Sequence, residues 1–162
     1  MGPEGHIQTI LTPNGKIEDE LRIIIPDIPP SNNKYMGRGS TYTQAFQYQA
    51  EKKKWQSVIG WLVREQKWAQ NPLKKAVVEI TYFFKDKRRR DPDNYSGKFI
   101  LDSLVRAGVL QDDSFGNIEL ILKGNYDKKN PRTEVRVRKK MNEYAEIVGY
   151  RELEKKELDY LS

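Results

Sequence analysis

The sequence contains no cysteine and a single histidine, His6. The missing cysteine excludes a disulfide framework, a thiolate nucleophile and a cysteine-based zinc site. His6 lies near a terminus that contains glycine and proline, where chains are commonly poorly ordered. With His6 as the single histidine, a mechanism that uses a histidine base or nucleophile is not expected. Any hydrolytic chemistry must therefore use carboxylates.

The sequence also lacks a long apolar run. No stretch approaches the roughly 18 consecutive apolar residues of a membrane span. The start, MGPEGHIQTI, has no apolar signal-peptide region, and His6 stands where N-myristoylation requires serine or threonine. We therefore expect a soluble, cytoplasmic protein without a membrane partner.

Charge, in contrast, is abundant and unbalanced. Of 162 residues, 29 are Lys or Arg and 23 are Asp or Glu, which gives a net charge of +6. An excess of positive charge favours a polyanionic partner such as nucleic acid, although net charge alone does not identify one. The length and a hydrophobic content of 37% suit a single globular domain.

Residue patterns divide the chain into an irregular leader (1–20), one domain (21–139) and a charged C-terminal helical extension (140–162). The predicted strands are 21–30, 76–85, 117–124 and 133–139, and the predicted helices run from about 45 to 70 and from Asp93 or Asn94 to Gly108. The last two strands are expected to form a hairpin. The order β-α-β-α-β-β predicts an α+β fold, with a mixed sheet and helices packed on it.

The segment KRRRDPDNYSGK, residues 87–98, places four cations beside two carboxylates that flank a proline. Asp91 and Asp93 fall in the turn that leaves the second predicted strand, where sites of such folds gather. Two carboxylates about 4 Å apart repel by roughly 4 kcal/mol at an effective dielectric constant near 20. Either arginines or a divalent cation must offset that repulsion, and divalent cations commonly take one or two carboxylates plus substrate phosphate oxygens.

Two interpretations of this segment stay open on the pattern alone. Asp-Pro-Asp-Asn is also a common turn and helix cap, and a basic block is commonly a solvated face. In the functional interpretation, the cations hold nucleic-acid phosphates while the carboxylates hold Mg²⁺. A further carboxylate pair, Asp112 and Asp113 in GVLQDDSF, follows the second predicted helix.

Three motifs in order resemble the RusA-type Holliday junction resolvases: IPPSNNKY (28–35), RRRDPDN (88–94) and KFILDSLVRAGVLQDDSF (98–115). The resemblance implies a small homodimeric endodeoxyribonuclease of DNA recombination and repair, bacterial or phage-encoded. Such an enzyme cuts four-way DNA junctions symmetrically with Mg²⁺, Mn²⁺ being a possible substitute. The resemblance spans roughly Leu21 to Val137.

The resemblance also implies roles for individual residues. The essential carboxylates of the family fall on Asp91, Asp93 and Asp113, with Asp112 as a less certain metal ligand. Lys98 matches the family's important lysine if one extra residue lies between the acidic pair and the helix, and it would offset phosphoryl charge or orient the attacking water. The implied nucleic-acid contacts are Asn32, Asn33, Tyr35, Arg38, Lys87, Arg88, Arg89, Arg90 and Asn94.

A different class of function is also compatible with the sequence. A noncatalytic DNA-binding or accessory protein of recombination or phage replication would have the same basic surface. It would bind DNA in a salt-dependent way but give no metal-dependent product. A nuclease directed at RNA is a third possibility.

Overall fold

The computed structural model describes residues 8–11, 17–35, 42–68 and 70–140. They form five strands, two α-helices and two short 3₁₀ turns. The strands are β1 (Gln8–Leu11), β2 (Ile17–Ile25), β3 (Ala76–Phe84), β4 (Ile118–Tyr126) and β5 (Arg132–Lys139). The helices are α1 (Tyr42–Glu65) and α2 (Lys98–Arg106), and the 3₁₀ turns are Asn32–Lys34 and Pro92–Tyr95.

The strands form one mixed sheet in the order β1-β2-β5-β3-β4. Strands β3 and β4 are parallel, as expected for two strands joined by a helix. Strand β5 is antiparallel to both β2 and β3. The predicted α+β class with a mixed sheet is confirmed.

The predicted hairpin of the last two strands is wrong, because β3 lies between them. The connection crosses the end of β3: the Asp127 N–H donates to the Phe84 carbonyl at 2.8 Å, and the Arg132 guanidinium lies 3.8 Å from the Phe83 ring centroid. The burial of the two strands agrees with this order. Val135 and Val137 on the central strand β5 are fully buried, whereas most of the edge strand β4 is exposed.

The core lies between one face of the sheet and the two helices. Alternate strand residues point into it, as the two-residue period of a strand requires. Helix α1 packs on α2 and β2. It contributes Trp55, Ile59 and Leu62 to the core, at the i, i+4 and i+7 positions of one helix face. The core residues with at most 1% exposure are Leu21, Ile23, Trp55, Ile59, Leu62, Ala76, Val78, Ile80, Ile100, Leu104, Val109, Leu110, Val135 and Val137.

Several element bounds differ from the sequence predictions. The leader expected to be irregular contains β1, which pairs with the start of β2. Strand β2 ends at Ile25, because the prolines that follow cannot donate to a ladder. Helix α1 begins and ends earlier than predicted. Apart from Lys140, the C-terminal extension 140–162, predicted to be helical, lies outside the described residues.

The second helix begins at Lys98 and not at Asp93 or Asn94. Residues Pro92–Tyr95 form a separate 3₁₀ turn. Gly97 then adopts a left-handed backbone conformation, with φ of 78°, which separates this turn from α2. That conformation is strained for residues with a Cβ. A Cβ on Gly97 would also lie 2.6 Å from Ile80 Cδ1. The predicted stop at Gly108 is confirmed, with φ of 77°.

The two glycines provide a matched pair of substitutions. Gly97→Ala should lower the free energy of unfolding by about 2 to 3 kcal/mol, through backbone strain plus the clash with Ile80. Gly108→Ala should cost about 1 kcal/mol, since a Cβ there meets no atom within 4 Å. Urea unfolding of the two variants measures the difference. Equal losses would contradict the packing role of Gly97.

Candidate active site

The acidic pair lies on an exposed loop beyond the end of β3. The chain leaves β3 at Phe84 and returns over the sheet in the Pro92–Tyr95 turn. Tyr95 anchors this turn, because its ring centroid lies 5.1 Å from that of Phe84 and 5.7 Å from that of Tyr82. A small cleft beside the turn is lined by Arg90, Asp91, Tyr95 and the β4 segment 122–124, among others. The predicted position at the carboxyl end of a strand is therefore the one observed.

Both carboxylates of the pair face solvent. Asp91 has extended backbone before the turn, its carbonyl accepts the Asn94 N–H at 3.0 Å, and its side chain is 54% exposed. Asp93 is exposed within the first turn. The Arg89 Nε lies 3.3 Å from Asp91 Oδ1. This ion pair is exposed on both sides and contributes little to stability, so Asp91 can exchange it for another cation.

The basic block divides into two kinds of residue. Arg88 and Arg89 are 84% and 90% exposed and extend into solvent. Arg90 is only 19% exposed: its guanidinium stacks 4.3 Å from the Phe84 ring centroid and pairs with Asp86 at 2.7 Å. It also donates to the carbonyls of Asp86 and Arg88. Arg90 therefore fixes the loop, while its two neighbours remain accessible.

Asp86 is the internal partner of this block. The Arg88 backbone N–H and the Arg90 guanidinium lower the pKa of Asp86 below its usual value. Lys87 lies over the Tyr126 ring, with its Nζ 5.1 Å from the centroid. The role of Asp86 was not predicted from the sequence. Its position four residues before Arg90 was the available signal.

Asn32 joins the first motif to the second. Its Nδ2 donates to the Asp93 carbonyl at 2.8 Å and to Ser96 Oγ at 3.0 Å, across more than 60 residues of sequence. Asn32 thereby holds the turn that carries the acidic pair. Asn33 is exposed beside it, and Arg38 lies outside the described residues.

Tyr35 is packed within the protein. Its ring makes an edge contact with Tyr48 at 5.5 Å between centroids, and its hydroxyl is buried. The exposed Lys34 lies 5.6 Å from that ring. Lys34 was not among the predicted contacts, and it is the more accessible of the two side chains.

Lys98 opens α2, directly after the turn, and is 61% exposed. Its Nζ lies 3.5 Å from Asp102 Oδ2, one helical turn later. Lys98 follows Asp93 by five residues and begins the helix that comes directly after Gly97. Asp102 is a further carboxylate that the sequence analysis did not single out.

Asp112 and Asp113 lie at the other end of the sheet. The flanking backbone joins the start of β3: the Gln111 N–H donates to the Leu73 carbonyl, and the Asn117 side chain donates to the Lys74 carbonyl. From Ala76 to Tyr82, β3 spans about 20 Å at roughly 3.3 Å per residue. Asp112 and Asp113 therefore do not meet Asp91 and Asp93 within one chain.

The donor set fits a divalent cation only in part. Among the described residues, no group of three or more Asp, Glu or His side chains is arranged to hold a metal ion. Mg²⁺ commonly uses one or two carboxylates and takes its other ligands from water and substrate phosphate. Asp91 and Asp93 satisfy that requirement, whereas the larger predicted set does not assemble in a single chain.

Comparison with protein families identifies the source of these motifs. The model of a family described as endodeoxyribonuclease RusA matches residues 27–138. This chain belongs to the RusA endodeoxyribonuclease family. Membership confirms the resemblance carried by the three motifs and implies nuclease activity on Holliday junctions. Strands β1 and β2 and residues 139–162 lie outside the RusA match.

Other comparisons add little to this assignment. No curated protein matches the chain. Among solved structures, the chain is similar to the periplasmic domain of Helicobacter pylori MotB, at 12% identity and a TM-score of 0.39, covering 93% of this chain and 92% of that one. A TM-score this low does not establish a shared fold. Within the described residues, neither helix combines the length and apolarity needed to cross a membrane.

The two adjacent asparagines of the first motif should differ in their effect on stability. Asn32→Ala should lower the free energy of unfolding by about 1 to 2 kcal/mol, because it leaves the Asp93 carbonyl and the Ser96 hydroxyl without their donor. Asn33→Ala should change it by less than about 0.5 kcal/mol, as expected for an exposed side chain. Urea unfolding, with amide hydrogen exchange over residues 91–97, tests both. Unchanged exchange in Asn32→Ala would contradict the linking role.

Proposed function

We propose that this RusA family member is a Mg²⁺-dependent endonuclease that resolves four-way DNA junctions by paired, symmetric cuts as a homodimer. The observation that carries the proposal is the single exposed loop in which Arg88 and Arg89 stand beside Asp91 and Asp93. That loop is fixed at one end by Arg90 and at the other by Asn32. Cations that position a phosphate and carboxylates that hold a metal are thus kept at a constant spacing.

The arginines supply the sequence-independent part of DNA binding. Each phosphate that they neutralise releases counterions, so binding should weaken steeply with salt. Guanidinium groups suit this role because they hold phosphate oxygens through two parallel hydrogen bonds. Lys87 and Asn33 are also exposed and would add contacts to the DNA backbone.

The carboxylates supply the chemical part. Asp91 and Asp93 would hold Mg²⁺, and the bound ion would provide a water of lowered pKa and positive charge beside the scissile phosphate. Lys98 would offset phosphoryl charge from the first turn of α2. Asp102 pairs with Lys98 and would act as a positioning residue for its ammonium group.

Replacing one carboxylate of the pair tests the catalytic assignment. Asp93→Asn should reduce cutting of a labelled four-way junction by about 100-fold or more, because one charged metal ligand is lost. Junction affinity should change only a few-fold, since the arginines remain. Gel assays with Mg²⁺, with Mn²⁺ and with chelator measure both quantities.

Controls separate this proposal from its rivals. Glu65→Gln, an exposed carboxylate at the end of α1, should cut normally. Binding of the wild-type protein without any metal-dependent product would favour a noncatalytic DNA-binding protein. Cutting of a linear duplex or of RNA would retain a nuclease but reject the junction as its substrate.

A second copy offers a role for Asp113, which lies too far from the pair in its own chain. Strand β4 is an edge strand, and Leu120, Ile121 and Tyr126 on it are exposed. Antiparallel pairing of two β4 strands about a two-fold axis would place the start of one strand beside the end of the other. Asp113 precedes the start of β4, and the acidic pair lies beside its end. We propose that Asp113 acts in the site of the other copy.

Mixed dimers distinguish sharing between copies from a site within one chain. Asp93→Asn and Asp113→Asn chains with different tags would be co-expressed, and the mixed dimers isolated through both tags. If each site is shared between the two chains, one of the two sites in the mixed dimer keeps both wild-type carboxylates. The junction is then nicked in one strand. If each site lies within one chain, the mixed dimer is as inactive as the two parent homodimers. An active Asp113→Asn homodimer would exclude Asp113 altogether.

A further inference from the structure

An apolar groove lies on the side of the molecule formed by α1 and the end of β2. Ile25, Pro26, Trp55, Val58 and Trp61 form its walls around a volume of 530 Å³. Trp61 is 44% exposed, although a tryptophan usually buries most of its ring surface. An ion pair at 2.8 Å between Lys54 and Asp27 closes one edge. The family assignment gives this groove no role.

A cationic groove adjoins the apolar one. Lys53, Arg64 and Arg106 line it, and Ser57 lines both grooves. No ion pair to these three cations is found among the described residues. The combined surface therefore offers apolar contacts beside positive charge. A suitable ligand must combine apolar side chains with carboxylates.

The C-terminal segment of the chain has that composition. Residues 141–162 carry six acidic and three basic side chains, a net charge of −3 in a chain whose net charge is +6. Apolar residues alternate with these charges: Tyr144, Ile147, Val148, Tyr150, Leu153, Leu158, Tyr160 and Leu161. Its charge is thus opposite to that of the cationic groove.

The segment also starts within reach of the surface. The Lys140 N–H donates to the Lys75 carbonyl at 2.9 Å, which fixes the start of the segment beside the beginning of β3. Helix α1 ends on the same side, since Gln66, directly after it, donates to the Arg22 carbonyl of β2. Twenty-two residues span up to about 70 Å when extended. The groove lies within the length of β2, about 30 Å at roughly 3.3 Å per residue.

We propose that residues 141–162 bind in cis to the apolar groove of α1 and β2, with their carboxylates on Lys53, Arg64 and Arg106. The interaction covers Trp61 and leaves Arg88 and Arg89 free for DNA. It differs from an autoinhibitory arrangement, in which the acidic segment would occupy those two arginines. The inference does not depend on the nuclease activity.

Photo-crosslinking of the full-length chain tests the proposal. A benzophenone amino acid would replace Trp61 in one variant, Arg89 in a second and the fully exposed Phe115 in a control. Each variant would be mixed with isotope-labelled wild-type chains, irradiated and digested for mass spectrometry. We expect the Trp61 probe to crosslink to residues 141–162 of its own chain and the Phe115 probe not to do so. Lys53→Glu with Arg64→Glu should lower the crosslink yield at least about threefold through lost charge attraction.

Three outcomes would overturn the proposal. The first is a Trp61 probe that does not reach residues 141–162. The second is a crosslink that joins labelled to unlabelled chains alone, which would assign the segment to a second copy. The third is preferential crosslinking from Arg89, which would indicate an autoinhibitory segment. Failure of the nuclease proposal would leave all crosslinks unchanged, so the two proposals fail independently.

Discussion

In a βαβ unit the chain leaves the first strand at one end of the sheet and must enter the second, parallel strand at the opposite end. This constraint determines where the acidic residues lie. Strand β3 runs into the loop with Asp91 and Asp93, α2 brings the chain back, and β4 then starts beside the beginning of β3. The residues just before β4 include Asp112 and Asp113. A single βαβ unit therefore separates the two acidic motifs by most of a strand, however close they are in sequence. The proposed homodimer would remove the separation, because a two-fold axis would place the start of one β4 strand beside the end of the other.

Order in the exposed loop comes from groups at its edges. Arg90 uses its guanidinium for Phe84, Asp86 and two carbonyls, and Asn32 holds the turn after Asp91 from a distant part of the chain. These contacts leave the intervening side chains in solvent while fixing the backbone that carries them. Preorganised ligands avoid the entropy cost of ordering a loop when substrate arrives. The sequence RRRDPDN therefore combines one structural arginine with two exposed ones.

The sequence predicted elements well where a local pattern decides them. The alternation of Val135 and Val137 indicated a strand, and the apolar spacing of Trp55, Ile59 and Leu62 indicated a helix. The sequence did not predict the strand pairing correctly, because the residue pattern of one strand does not indicate which strands lie beside it. The central position of β5 and the edge position of β4 became clear only from the structure. The sequence also placed the start of α2 too early, since the Asp-Pro-Asp-Asn cap signal serves a 3₁₀ turn that Gly97 separates from the helix. The position of the acidic pair in a turn after a strand was predictable, while the separation of Asp113 from it required the topology.

Net charge also has to be interpreted through the structure. On the face of the sheet opposite the helices, two arginines of β5 are paired: Arg136 binds the buried Glu20 through two hydrogen bonds, and Arg132 pairs with Asp127 and Glu134. The hydrogen bonds to Glu20 raise the pKa of Arg136 further. These arginines neutralise carboxylates of the same face and contribute little to attracting DNA. Arg88 and Arg89, by contrast, are 84% and 90% exposed and stand beside the carboxylates of the proposed metal site. Opposite charges at high density in one short segment are thus what the proposed metal-dependent nuclease would require, because cations alone would bind DNA without cutting it and carboxylates alone would repel it.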